Sequence, residues 1–190
     1  MDPQSIGMIV ALILLVTFSA YFSATETAFT SLNRIRMRSK AEGGDRRAAL
    51  ALRLSEDYDR FLSTILIGNN IVNISASTIG TVLFTKHVGT AYGPLVSTIV
   101  LTVVILIFGE ISPKSLAKEH AESFAMFSAP FLRVFLLVLR PVNFLFAQWK
   151  RLLSRVFRHS DDEGITEEEL ITMVDQAENE GGLDQDESEL

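Results

Sequence analysis

Apolar positions run almost unbroken through three stretches of the chain, about residues 6–32, 61–85 and 94–111. Each supplies the roughly 20 helical residues that a bilayer core demands, so the pattern predicts three transmembrane helices. Polar and charged residues gather between and after them. The connection from the first stretch to the second, "NRIRMRSKAEGGDRRAALALRLSEDYDR", is rich in Arg and Lys, whereas "KHVGTAYG" between the second and third holds one Lys and one His. Basic connections stay on the cytoplasmic side, which puts the amino terminus outside and the carboxyl half inside. The first stretch lacks the basic start of a secretory signal, since "MDPQSIG" carries no positive charge.

Residues 120–159 are apolar enough to suggest a fourth crossing. Pro130 and Pro141 divide this region, and Arg133 and Arg140 lie seven apart, with Arg151, Arg155 and Arg158 continuing the same face. This pattern predicts a juxtamembrane helix lying in the interface, with its arginines toward anionic headgroups. Residues 160–190 differ again. In "GITEEELITMVDQAENEGG", Thr166 and Glu169 have capping-box spacing and Leu170, Met173, Val174 and Ala177 form a stripe, so a short acidic amphipathic helix is expected. The expected fold class is an all-α membrane protein: a transmembrane ion-transport domain over 1–119, the interfacial region over 120–159, and the start of a cut-off regulatory region over 160–190.

Charge sharpens this division. The net charge of −6 conceals 17 basic and 10 acidic residues before position 161, against 13 acidic and no basic residues from it onward. With no Cys, thiolate metal sites are excluded. His87, His120 and His159 are scattered, and the HExxH, GxSxG and phosphate-loop spacings are absent, so neither an imidazole metal site nor an enzyme is expected. No nucleic-acid partner is expected; the bilayer is.

The polar residues inside the spans carry the chemistry. Ser23, Glu26, Thr27 and Thr30 stack on one helical face of the first. Asn69, Asn73, Ser77 and Thr81 repeat every fourth residue on the second, with Asn70 beside them, and Thr98 and Thr102 lead to Gly109 and Glu110 on the third. Three such stripes predict a shared interior. Counting from the nearest basic residues puts Ser23, Asn69 and Glu110 at similar depths, about 12–17 Å in at 1.5 Å per residue.

An intramembrane carboxylate costs several kcal/mol unless it is paired, so Glu110 calls for a cation, with an ion pair to Lys114 or an arginine as the structural alternative. Pro113 and Gly109 predict an interrupted helix whose freed carbonyls add neutral oxygens. Hydroxyl, amide, carboxylate and carbonyl oxygens together select a hard ion: Mg²⁺, Ca²⁺ or Na⁺.

"YFSATETAFTSLNRIRMR", "STILIGNNIVNISAS" and "FGEISPKSLA", followed by the acidic "EEELITMVDQAENEGGLDQDE", closely resemble the CorC/CNNM family of magnesium transporters across essentially the whole chain. The resemblance implies a homodimer in the cell (inner) membrane that exports Mg²⁺ in exchange for Na⁺ by alternating access, and a following CBS pair, absent here, that binds ATP. It implies a Mg²⁺ site of Ser23, Asn69, Gly109 through its carbonyl, and Glu110, with Asn70 and Asn73 as second choices. Glu26 and Thr27 are candidates for Na⁺. The alternative is a membrane-anchored Mg²⁺ sensor or scaffold that carries no flux.

Overall fold

A computed structural model describes residues 2–157, which are helical with short connections. The expected acidic helix, Arg158 and His159 lie outside the described residues. Helix α1 (Pro3–Ser31) begins with Pro at its first turn, where the missing N–H costs nothing. Two short helices, α2 (Arg34–Glu42) and α3 (Arg46–Glu56), occupy the basic connection. Their starts are capped by side chains: Asn33 accepts from the Arg36 N–H at 3.0 Å, and Asp45 from Arg47 at 2.8 Å and Ala48 at 3.2 Å.

The second expected span is α4 (Tyr58–Val88), closed by Gly89 at φ 96°, a conformation that favours glycine. The third runs as one winding column: α5 (Gly93–Val104), a π segment (Ile105–Ile111) and α6 (Ser112–Glu119). The helix is therefore widened rather than broken. Pro113 lies at the start of α6, where a proline is tolerated.

Residues 120–145 differ from the expected single interfacial helix. Helix α7 (Ala121–Val138) passes through Pro130 without interruption, and the break falls at Leu139, before α8 (Arg140–Phe157). Arg133 and Arg140 thus sit on different helices, not on one continuous face. With α1, α4 and the α5–α6 column, α7 makes four helices long and apolar enough to cross a membrane. Its two ends nevertheless attach to the same end of the bundle. Glu122 in its first turn pairs with Arg36 at 3.1 Å and Lys40 at 2.9 Å of α2, while Asn143, just beyond it, donates to Thr64 near the start of α4 at 2.7 Å.

The chain divides between Leu145 and Phe146 into two units, and of the second only residues 146–157, the rest of α8, are described. In the first unit the core sits at the basic end. Phe22, Phe29, Met37, Phe61, Ile65, Leu132 and Leu136 are buried there, each worth roughly 1.5–3 kcal/mol. Phe29 stacks on Phe61 at 4.7 Å, and Phe22 meets Phe135 edge-on at 4.9 Å. Toward the other end, Ile6, Val10, Ile13 and Leu14 of α1 face outward, as lipid-facing positions do. Small residues replace the core there. Gly80 lets Leu101 approach so closely that a Cβ would stand 2.2 Å from its Cδ1, and Lys86 closes this end by binding Asp2 at 2.6 Å.

Candidate functional site

Most hydroxyls in these helices satisfy themselves. Thr17, Thr25, Thr27, Thr78, Thr81 and Thr98 each donate to the carbonyl four residues back, as membrane serines and threonines do. Ser19 and Ser23 depart from this habit. The Ser19 hydroxyl crosses to the side chain of Asn69 on α4, with Oγ to Oδ1 at 3.0 Å, and the buried Ser23 hydroxyl has no hydrogen-bond partner.

Asn73 lies one turn along α4 from Asn69. Its Nδ2 donates toward Asn69 Oδ1 at 3.4 Å and Glu110 Oε1 at 3.5 Å, whereas its own buried Oδ1 accepts nothing. Glu110 belongs to the π segment, and so does Gly109, whose backbone packs against α1. A Cβ there would stand 2.9 Å from Ser19 Oγ and 3.3 Å from Ser19 Cβ, so glycine is needed for the close approach. Three helices consequently meet through Ser19, Asn69, Asn73, Gly109 and Glu110.

The π winding changes the backbone oxygens available here. The Ser112 N–H bonds five residues back to Ile107 O, and Pro113 has no N–H to continue the ladder. Position 113 therefore provides no donor for Phe108 in π register or Gly109 in α register.

Electrostatically, Lys114 is committed to Glu26, Nζ to Oε2 at 3.2 Å, and not to Glu110. Among the described residues Glu110 has no cationic partner, and its recorded hydrogen bond is the long one from Asn73. Its side chain is half-buried. The cluster suits a hard cation: one carboxylate with hydroxyl and amide oxygens. Among the described residues no group of three His, Cys, Asp or Glu side chains converges.

Of the residues singled out from the sequence, Asn69, Asn73, Gly109 and Glu110 are brought together, and Ser23 is buried one turn along α1 from Ser19. Asn70 does not join them. It is exposed and donates to Leu66 O of its own helix at 2.8 Å. The outer parts of the stripes also fail to line a shared interior, because Ser77, Thr98 and Thr102 are exposed and Thr81 bonds back to its own helix.

The sequence profile described as the cyclin M transmembrane N-terminal domain, CNNM, matches residues 9–187. The chain belongs to the CNNM family. Over 173 residues, 90% of the chain, it is 39% identical to a UPF0053 protein of Haemophilus influenzae. It is also 38% identical over 160 residues, 82% of the chain, to the UPF0053 inner membrane protein YfjD of Escherichia coli. A more distant relative, 26% identical over 181 residues and 88% of the chain, is the polyamine export protein of Haemophilus influenzae. The chain spans 41%, 37% and 42% of these three relatives. It is thus a multi-pass membrane domain of the CNNM family. Ser19 is the site residue that the sequence reading passed over, although it lies four positions before Ser23 on the same stripe.

Proposed function

We propose that this CNNM domain carries Mg²⁺ across the cell (inner) membrane, exporting it in exchange for Na⁺ by alternating access, with the basic end facing the cytoplasm and α7 lying in the interface. The observation behind this reading is Glu110: a half-buried carboxylate without a cationic partner among the described residues, in contact with Asn73, whose Oδ1, like the buried Ser23 Oγ, has no hydrogen-bond partner. Ser23, Asn69, Asn73, Glu110 and the Gly109 carbonyl would surround the ion. Few carboxylates and helix-borne ligands favour the small octahedral ion over Ca²⁺, which takes more oxygens. Asn70 has no part in the site in this reading. Glu26, tied to Lys114, is left to Na⁺ or to structure. A homodimer and an ATP-binding CBS pair in the full-length protein complete the proposal.

The relative named as a polyamine exporter supports a second cargo, an organic polycation. Several ammonium groups spread along a chain need several anions, however, and this cluster offers one uncommitted carboxylate. The full-length protein in liposomes should move Mg²⁺ along an imposed Na⁺ gradient, and Glu110→Gln should abolish that flux while the protein stays folded. Spermidine flux without Mg²⁺ flux would favour the polycation. Saturable Mg²⁺ binding with no flux of either would favour the sensor.

A further inference from the structure

A second site stands apart from the Glu110 cluster, at the basic end of the first unit. The end of α3, the start of α4 and the middle of α7 enclose a half-open cavity of about 620 Å³, within the size range of ligand pockets. Arg53, Arg60 and Arg133 line it, with Asp57 as the acidic member of the lining. Among the described residues none of the three guanidinium groups has an ion-pair partner. Among the described residues the lining therefore sets three guanidinium groups against one carboxylate, a net positive charge.

Its remaining wall is apolar and belongs to a surface that faces outward. Val134 and Leu137 line the cavity, yet are 59% and 68% exposed, and they continue a strip formed by Phe127, Phe131 and Val138 on α7. Arginine forks beside an exposed aliphatic strip match a ligand with an anionic phosphate at one end and hydrocarbon at the other. A soluble anion would leave the strip unused, and an acidic peptide would set carboxylates against it.

We infer that this cavity binds the headgroup of an anionic phospholipid, with Arg53, Arg60 and Arg133 holding the phosphate and Val134 and Leu137 guiding the acyl chains. It rests on the reading that the basic end lies at the membrane surface, and it involves no cation transport. A lipid held here would tie α3 and α7 to the start of α4.

The test titrates phosphatidylglycerol, phosphatidylcholine and soluble glycerol phosphate into the detergent-solubilised full-length protein and follows the melting temperature. Phosphatidylglycerol should stabilise saturably and the other two should not. Arg53→Gln, Arg60→Gln and Arg133→Gln should each weaken the phosphatidylglycerol response about fivefold, as expected for one basic side chain near a charged headgroup. Arg46→Gln, outside the lining, should leave the response unchanged. Unaltered melting in phosphatidylcholine alone shows that each variant folds. Equal stabilisation by phosphatidylcholine, equal protection by glycerol phosphate, or an unaltered response in all three arginine variants overturns the inference. So does an arginine effect independent of added lipid, the outcome expected if the acidic segment 161–190 filled the cavity. Because no flux is read, failure here leaves the transport reading standing, and the reverse holds.

Discussion

Replacing Gly109 by Ala tests whether the close approach of the π segment to α1 holds the candidate site together. The new Cβ would meet Ser19 Oγ at 2.9 Å and Ser19 Cβ at 3.3 Å, against ordinary contacts beyond about 3.4 Å. Turning the hydroxyl away relieves the first clash but gives up its 3.0 Å bond to Asn69, and the second clash persists. Overpacking costs about 1–3 kcal/mol and the lost hydrogen bond about 1 kcal/mol. Alanine returns about 1 kcal/mol in helical preference. The net destabilisation should be about 1–3 kcal/mol.

Ser19→Gly removes both offending atoms, so a double-mutant cycle isolates the contact. Equilibrium unfolding in bilayer discs, followed by circular dichroism, should show Gly109→Ala largely rescued in the Ser19→Gly background, with a coupling of about 1–2 kcal/mol. Mg²⁺ protection in the same discs should fall with Gly109→Ala. Additivity of the two substitutions within about 0.5 kcal/mol would refute the packing argument.

Gly93→Ala should be worse, at about 3 kcal/mol or more, because its Cβ would stand 2.5 Å from Thr85 Cα and 2.7 Å from Thr85 N, backbone atoms that no rotamer can move; the same unfolding measurement checks it. Thr64→Val removes the acceptor of the buried Asn143 amide and should cost about 1–3 kcal/mol, again read by unfolding. Glu26→Gln frees Lys114, which lies four residues after Glu110 and can then pair with it; Mg²⁺ protection should weaken, and Lys114→Met should restore it. At the opposite end, hydrogen bonds from Lys86 and Ser5 hold the Asp2 carboxyl down at about 2 from an ordinary 3.8. A depressed carboxylate stabilises the fold above its unfolded value and loses that contribution as pH falls. The stability difference between wild type and Lys86→Gln should therefore shrink as pH drops from about 4 to about 2, and a difference that persists below 2 would exclude this pair as its source.

The span positions were legible because twenty apolar residues in succession have few other uses. The shared interior was legible only where stripes from different helices reach the same depth: Asn69, Asn73 and Glu110 converge, while Ser77, Thr98 and Thr102 are exposed. A threonine that bonds to its own backbone and one that faces a partner look alike in sequence. Ser19 was visible on the same stripe as Ser23, yet only the Gly109 contact gives it significance. Pro130 misled because proline usually interrupts helices, whereas α7 runs through it and ends later, at Leu139. The basic connection reads as loop by composition, but Asn33 and Asp45 are N-cap residues that start α2 and α3. The π segment had no pattern of its own beyond the Gly and Pro that accompany it.

That segment has one further consequence. Five-residue winding accommodates a surplus residue within a column that is otherwise 3.6 residues per turn. Expelling that surplus toward α6 would slip the register by one position and swing Glu110 by about 100° around the column axis, away from Asn73. The column would stay helical, so the Glu110 carboxylate could enter or leave the oxygen cluster by a change of phase alone.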